Sequence, residues 1–363
     1  MSARRWVVAG GGTGGHVTPA LALGEEIVAR GDRVLFLGSE RGLDGLLVPA
    51  AGFELRTLPA RQVKGKGLVG GARALLDLPR VTLAARRLLA EFGAEIVVSV
   101  GGYASVPAVL AARLRGTPVA LVNTDAVPGL ANRACGRLAR RIFVGFEAAA
   151  PAFGGGRLAE RVRVVGVPVR RNLVSAFAGA PPRRVPAPPL RLLVFGGSQG
   201  AHQLNQALMA LAPRLAGRVE VFHQTGDADC ERVAEAWARA GVRAEVAAFE
   251  PEMPARYRWA DLAICRSGAL TVAELALAGL PALLIPYPFA ANDEQSANAR
   301  ELVRLGAAER LDPHGLTPET LGAALERLLD SPELLRAMGE RAAKLARPDA
   351  AARIVEECRA LLD

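Results

Sequence analysis

Thr271 and Glu274 stand three apart in the stretch Cys265-Arg266-Ser267-Gly268-Ala269-Leu270-Thr271-Val272-Ala273-Glu274. That spacing puts two side chains on one side of a helix. The apolar run ending near Cys265 reads as a buried strand and Arg266-Ser267-Gly268 as a turn. From Ala269 the pattern is helical, and it stops at Gly279-Leu280-Pro281. Such a strand–turn–helix aims unpaired backbone N–H groups, and the positive end of the helix dipole, at a ligand above the sheet. Glu274 is a carboxylate in an otherwise apolar helix. Two readings stand: a capping-box partner for an N-terminal hydroxyl, or an acceptor for both hydroxyls of a ribose.

A second set of chemical residues lies near the start. Trp6 to Ala9 reads as a strand, Gly10-Gly11-Gly12-Thr13-Gly14-Gly15-His16 as a glycine loop, and Pro19 to Arg30 as a helix. Gly10, Gly12 and Gly15 satisfy the dinucleotide fingerprint, with Glu40 placed where a ribose-binding acid would fall. His16, at the loop–helix junction, can serve as base, phosphate donor or cap. Gly101-Gly102-Tyr103 makes another glycine turn, and Gly196-Gly197-Ser198-Gln199-Gly200-Ala201 repeats the logic of the first loop. Ser198 can donate to a phosphate or cap a helix. Arg170, in Gly166-Val167-Pro168-Val169-Arg170, is suited to a diphosphate.

These residues need parallel sheets to hold them. Strands are expected at 33–37, 96–100, 119–122, 142–144 and 162–165, and again at 192–195, 219–223, 244–248 and 282–285, alternating with helices. That is the pattern of α/β units wound on both faces, with ligands at the carboxyl ends of the strands. Two series, each opening with a strand, a glycine loop and a helix, predict two similar domains facing each other.

The chain has 363 residues, 51% of them hydrophobic and 22% charged, as in a soluble globular protein. Four Cys and four His are scattered without metal-ligand or disulfide spacing, which fits a reducing cytosol. No signal peptide or membrane span is expected. Of the net charge of +9, residues 1–165 carry +10 (22 Lys+Arg, 12 Asp+Glu). The segment Arg56 to Arg87 holds eight basic residues against Asp77, interleaved with Leu68, Leu75, Leu76 and Leu83. It can rest on an anionic bilayer, or its leucines can face the core. With no aromatic residue for base stacking, nucleic acid is not an expected partner.

Taken together, these motifs resemble the bacterial MurG family of glycosyltransferases, in the same order and across nearly the whole chain. The resemblance implies a GT-B fold: two Rossmann-like, doubly wound parallel-sheet α/β domains facing a cleft. It implies a domain at 1–165 on the acceptor and membrane side, joined by a C-terminal helix at 347–363, and a UDP-GlcNAc-binding domain at 166–346. The implied reaction transfers N-acetylglucosamine from UDP-GlcNAc to lipid I, the undecaprenyl-pyrophosphoryl-MurNAc-peptide. The product is lipid II, made on the cytoplasmic face of the membrane by a peripheral enzyme. Donor contacts are implied for Ala269, Leu270, Thr271, Val272, Ala273, Glu274 (on the ribose), Ser198, Arg170 and Gln295. Thr13, Gly14, Gly15 and His16 would line the acceptor side. Where many members carry His-Glu-Gln-Asn, this chain has Val122-Asn123-Thr124-Asp125, so Asp125 takes the place of a donor-binding Asn. Phe289 stands where a His is common, and Glu250 where a small apolar residue often packs near the uracil.

An inverting transfer needs a base for the acceptor hydroxyl and positive charge for the leaving diphosphate. His16 leads as base and Asp125 is its rival. Helix N-termini at the two glycine loops and Arg170 can supply the charge, so no metal or other cofactor is expected. Three other readings remain open: a related GT-B enzyme such as a UDP-GlcNAc 2-epimerase, a nicotinamide-dependent oxidoreductase, and a membrane-surface binding module.

Overall fold

A computed structural model of the chain describes residues 3–39, 42–59, 67–102, 104–181, 183–197 and 200–363, with side chains described outside 67–75 and 291. Contacts divide it into two units, Met1–Arg171 with Arg347–Asp363, and Asn172–Ala346.

The first unit runs β1 (Arg5–Gly10), α1 (Gly14–Ala29), β2 (Arg33–Ser39), α2 (Asp44–Ala50), β3 (Leu55–Leu58), α3 (Gly67–Phe92), β4 (Ile96–Gly101), α4 (Ser105–Arg115), β5 (Val119–Asn123), α5 (Leu130–Leu138), β6 (Arg141–Val144) and β7 (Val162–Val164). Its seven strands are ordered β3-β2-β1-β4-β5-β6-β7, and every pair is parallel. Along β1, Val7 and Ala9 feed the core on one face of the sheet, Trp6 and Val8 that on the other. A sheet covered on both faces needs this unbroken apolar run.

The second unit runs α6 (Arg171–Phe177), β8 (Leu190–Phe195), α7 (His202–Leu215), β9 (Val219–Gln224), α8 (Cys230–Arg239), β10 (Arg243–Ala247), α9 (Met253–Trp259), β11 (Leu262–Cys265), α10 (Ala269–Ala278), β12 (Ala282–Leu284), α11 (Glu294–Arg304), β13 (Ala308–Arg310), α12 (Pro318–Leu329) and α13 (Pro332–Ala342). Six parallel strands are ordered β10-β9-β8-β11-β12-β13. The order reverses between β1 and β4 in the first sheet and between β8 and β11 in the second. At such a reversal the loops leaving the two strands part and open a crevice.

The break between units falls later than the expected 165/166. Val165, Val167 and Val169 are buried, Gly166 packs against Arg347 and Ala350, and Arg170 pairs with Glu25 on α1. The segment 166–170 therefore sits with the first unit. The last helix, α14 (Ala350–Arg359), also belongs there: Ile354, Val355 and Cys358 join the core of Trp6 and Val8. Helix α1 starts at Gly14 rather than Pro19, because the N–H groups of His16 and Val17 both turn back to the Thr13 carbonyl. His16 thus lies in the first turn of a helix. No helix among the described residues is long and apolar enough to cross a membrane.

Candidate active site

In the first unit the loops after β1 and β4 meet at the switch point. Gly102 has φ +87, and a Cβ there would collide with the Gly11 carbonyl, so only glycine lets the two turns touch. A Cβ on Gly101 would lie 2.7 Å from His16 Cδ2, 2.9 Å from His16 Nε2 and 3.2 Å from Asn132 Oδ1. The imidazole and the Asn132 amide therefore border the same glycine. The other ring nitrogen, Nδ1, is 2.9 Å from Thr13 Oγ1. With Nδ1 protonated and donating to Thr13, Nε2 is the unprotonated ring nitrogen, the one with the chemistry of a base. Asn132 Nδ2 donates to Asn123 Oδ1 at 3.0 Å, and Asn123 Nδ2 to the Asp125 carbonyl at 2.7 Å. The structure thus links the loop bearing Asp125, through Asn123 and Asn132, to the glycine turn beside His16. Asn132 carries no sequence signal: nothing in its spacing marks it.

The first glycine loop differs from expectation in its electrostatics. Asp44, 1% exposed, accepts the Gly12 N–H at 2.8 Å and the Ser39 N–H at 2.6 Å. Its carboxylate lies where a Cβ on Gly11, Gly38 or Gly42 would fall. The chain's own anion takes a donor that a dinucleotide pyrophosphate would need. Glu40, the ribose partner in that reading, and Tyr103 lie outside the described residues. Arg170 is also partly engaged: its Nε donates to Glu25, whose other oxygen accepts the Arg171 N–H at 2.9 Å.

In the second unit α10 begins at Ala269 with Gly268 as its cap, and the first helical bond runs from Val272 N to the Gly268 carbonyl at 3.0 Å. The N–H groups of Ala269, Leu270 and Thr271 precede that first bond, the usual position of an anion on a helix end. Glu274 does not form a capping box. The Tyr257 hydroxyl donates to its Oε2 at 2.7 Å. Burial pushes the Glu274 carboxyl up to about 7, and the phenol's hydrogen bond opposes that shift.

Gln295, in the first turn of α11, uses its Oε1 to accept from Tyr287 N at 2.9 Å and Ser267 N at 3.3 Å. Its amide nitrogen is the end left to donate. Ser267 Oγ in turn donates to the Gln295 carbonyl at 2.9 Å, so the turn after β11 is stapled to α11. Ser198 lies outside the described residues. Its loop is braced at Gly200, where φ is +72 and a Cβ would collide with the Thr225 carbonyl. Glu250 accepts from Glu252 N at 2.7 Å and Arg256 Nε at 2.6 Å, so its carboxylate is satisfied at the start of α9. Among the described residues no three His, Cys, Asp or Glu are grouped to hold a metal ion.

Two doubly wound units, with glycine turns at both switch points and a hydroxyl–carboxylate helix at the second, define a GT-B glycosyltransferase. Residues 6–144 match the glycosyltransferase family 28 N-terminal domain and 191–354 its C-terminal domain. A curated relative from Anaeromyxobacter dehalogenans is 42% identical over 99% of this chain and 93% of its own length. One from Syntrophus aciditrophicus is 39% identical over 99% of both. Each is named UDP-N-acetylglucosamine--N-acetylmuramyl-(pentapeptide) pyrophosphoryl-undecaprenol N-acetylglucosamine transferase. The crystal structure of Acinetobacter baumannii MurG superposes with TM-score 0.80 at 30% identity, covering 97% of this chain and 98% of that one. The kitacinnamycin glycotransferase, TM-score 0.68 at 20% identity over 98% and 99%, shares the fold. The chain belongs to the MurG family.

Proposed function

We propose that this enzyme moves N-acetylglucosamine from UDP-GlcNAc to the muramyl sugar of lipid I, giving lipid II for peptidoglycan. The observation that carries this reading is full-length likeness, at 42% identity, to relatives named for that transfer. The acceptor hydroxyl oxygen attacks the anomeric carbon, the bond from that carbon to the diphosphate oxygen breaks with inversion, and UDP departs. The hydroxyl proton passes to His16 Nε2, with Asp125 as the rival base. On the donor side, Glu274 meets the ribose and the α10 N–H groups, with Ser198 and Arg170, meet the diphosphate. The Gln295 amide is assigned to the sugar. These neutral and cationic donors are sufficient to stabilise the leaving group without a metal.

The enzyme works as a peripheral protein on the cytoplasmic face of the membrane. Helix α3 supports this: Val81, Ala85 and Leu89 are buried, while Leu76 and Leu83 stay 79% and 54% exposed beside Arg80, Arg86 and Arg87. Within the basic segment, residues 60–66 and the side chains of 67–75 lie outside what the structure describes.

Transfer from labelled UDP-GlcNAc to a lipid I analogue, with and without chelator, tests the reading. Labelled lipid II at the same rate in both arms is expected. Conversion of UDP-GlcNAc without acceptor, and no labelled lipid, would replace it with an epimerase.

A further inference from the structure

Tyr257 on α9 is fully buried, yet its hydroxyl goes to the single carboxylate of α10, 2.7 Å away on Glu274. The phenol ring is held edge-on by Phe195, at the end of β8, with centroids 5.8 Å apart. Arg183 fixes the two helices together. Its guanidinium donates to the carbonyls of Tyr257 at 3.0 Å and Ala278 at 3.1 Å, and to that of Ala260. The pair is therefore set from outside by one ring contact and three hydrogen bonds from Arg183.

We infer that Tyr257 is a positioning residue for the nucleotide: it pins one oxygen of Glu274 so that the carboxylate meets the vicinal hydroxyls of the ribose already oriented. The inference rests on the assignment of Glu274 to the ribose. An ionised carboxylate has about four acceptor positions, so one bond from Tyr257 leaves room for two hydroxyl donors. Glutamate has many rotamers to lose, and Tyr257 moves that loss from binding to folding. The hydrogen bond also favours the charged carboxylate, the form that accepts from both hydroxyls. The other titratable group facing Glu274 is Cys265 on β11, and burial raises both the thiol and the phenol, leaving them neutral. Burial and the Tyr257 hydrogen bond are the two influences that set the carboxyl's state, and they oppose each other.

Tyr257→Phe in the full-length protein keeps the ring and removes the donor. At neutral pH, UDP should bind roughly tenfold more weakly and the donor KM should rise as much, with kcat nearly unchanged. Raising the pH ionises the carboxylate in both proteins, so the deficit should shrink. In a Glu274→Gln background, Tyr257→Phe should add less than about twofold, because the acceptor it charges is gone. The melting temperature of each variant reports on packing separately. Unchanged UDP affinity at neutral pH overturns the inference. So does a loss that ignores pH and persists in the Glu274→Gln background. If Glu274→Gln itself binds UDP like the parent protein, the ribose assignment falls first; if only Tyr257→Phe is silent, that assignment survives.

Discussion

Asp44 Oδ1 accepts the backbone N–H of Gly12 at 2.8 Å, and its Oδ2 accepts that of Ser39 at 2.6 Å. A carboxylate from α2 thus occupies the mouth of the first glycine loop, with glycines on three sides of it. The fingerprint Gly10, Gly12, Gly15 is present in sequence, but part of its anion site is filled from within. Asp44→Ala should orphan one buried and one part-buried donor and lower stability by roughly 2–4 kcal/mol. Denaturant unfolding measures this. NAD(H) should give no thermal shift with the parent protein while UDP gives one; a shift with NAD(H) alone would revive the oxidoreductase reading.

His16 should matter to turnover more than to donor binding. With His16→Ala, kcat should drop about 10²–10⁴-fold while the KM for UDP-GlcNAc changes little. Steady-state kinetics with a soluble acceptor separates the two. Equal losses in both would make His16 a binding residue, and the same experiment on Asp125→Asn ranks its rival.

The exposed face of α3 predicts vesicle binding. Replacing Leu76 and Leu83 by Asp removes two side chains each worth about 1.5–3 kcal/mol when fully buried in an apolar phase. Sedimentation with anionic vesicles should weaken at least tenfold. Transfer to a water-soluble acceptor should be unaffected. Unchanged sedimentation would move the membrane contact elsewhere.

His223 should make the second unit acid-sensitive. It is fully buried, receives the Trp237 indole N–H on Nδ1 at 3.2 Å, and faces Asn205 Oδ1 through Nε2 at 3.0 Å. The ring is thereby fixed as a neutral tautomer, and burial holds it down to about 3 from the usual 6.5. Because the folded value is the lower one, the unfolded chain binds the extra proton first. Stability is full above about 6.5 and is lost as pH falls toward 3, by up to roughly 4–5 kcal/mol. Urea unfolding across that range should show the slope, and His223→Gln should flatten it.

The parts of this site that follow from local chain chemistry are legible in the sequence itself. The glycine turns, the strand before Cys265, the helix from Ala269 and its end at Gly279 depend on residues within a few positions of one another. The partners that give those residues their electrostatic character are not legible there. Asp44 meets Gly12, and Tyr257 meets Glu274, only because separate helices converge on one edge of a sheet. Glu274 in particular stands three residues after Thr271, the spacing of a capping partner, but the helix is capped at Gly268, which places Glu274 six residues in, past the capping position. Short elements escape too: β13 is three residues long, too few to show a period.

The last helix ties the ends of the chain together. Arg359 lies 3.3 Å from Asp32, Trp6 Nε1 donates to the same carboxylate, and Arg4 meets Asp363 at 2.9 Å. The second unit is thus an insertion within the first, a continuous stretch enclosed by a discontinuous one. During synthesis the inserted half has all of its own sequence first, while its host must wait for residues 347–363, which are made after the whole insertion. Stalled chains ending before Arg347 should therefore hold a protease-resistant middle and a labile beginning, the reverse of the order in which they were made.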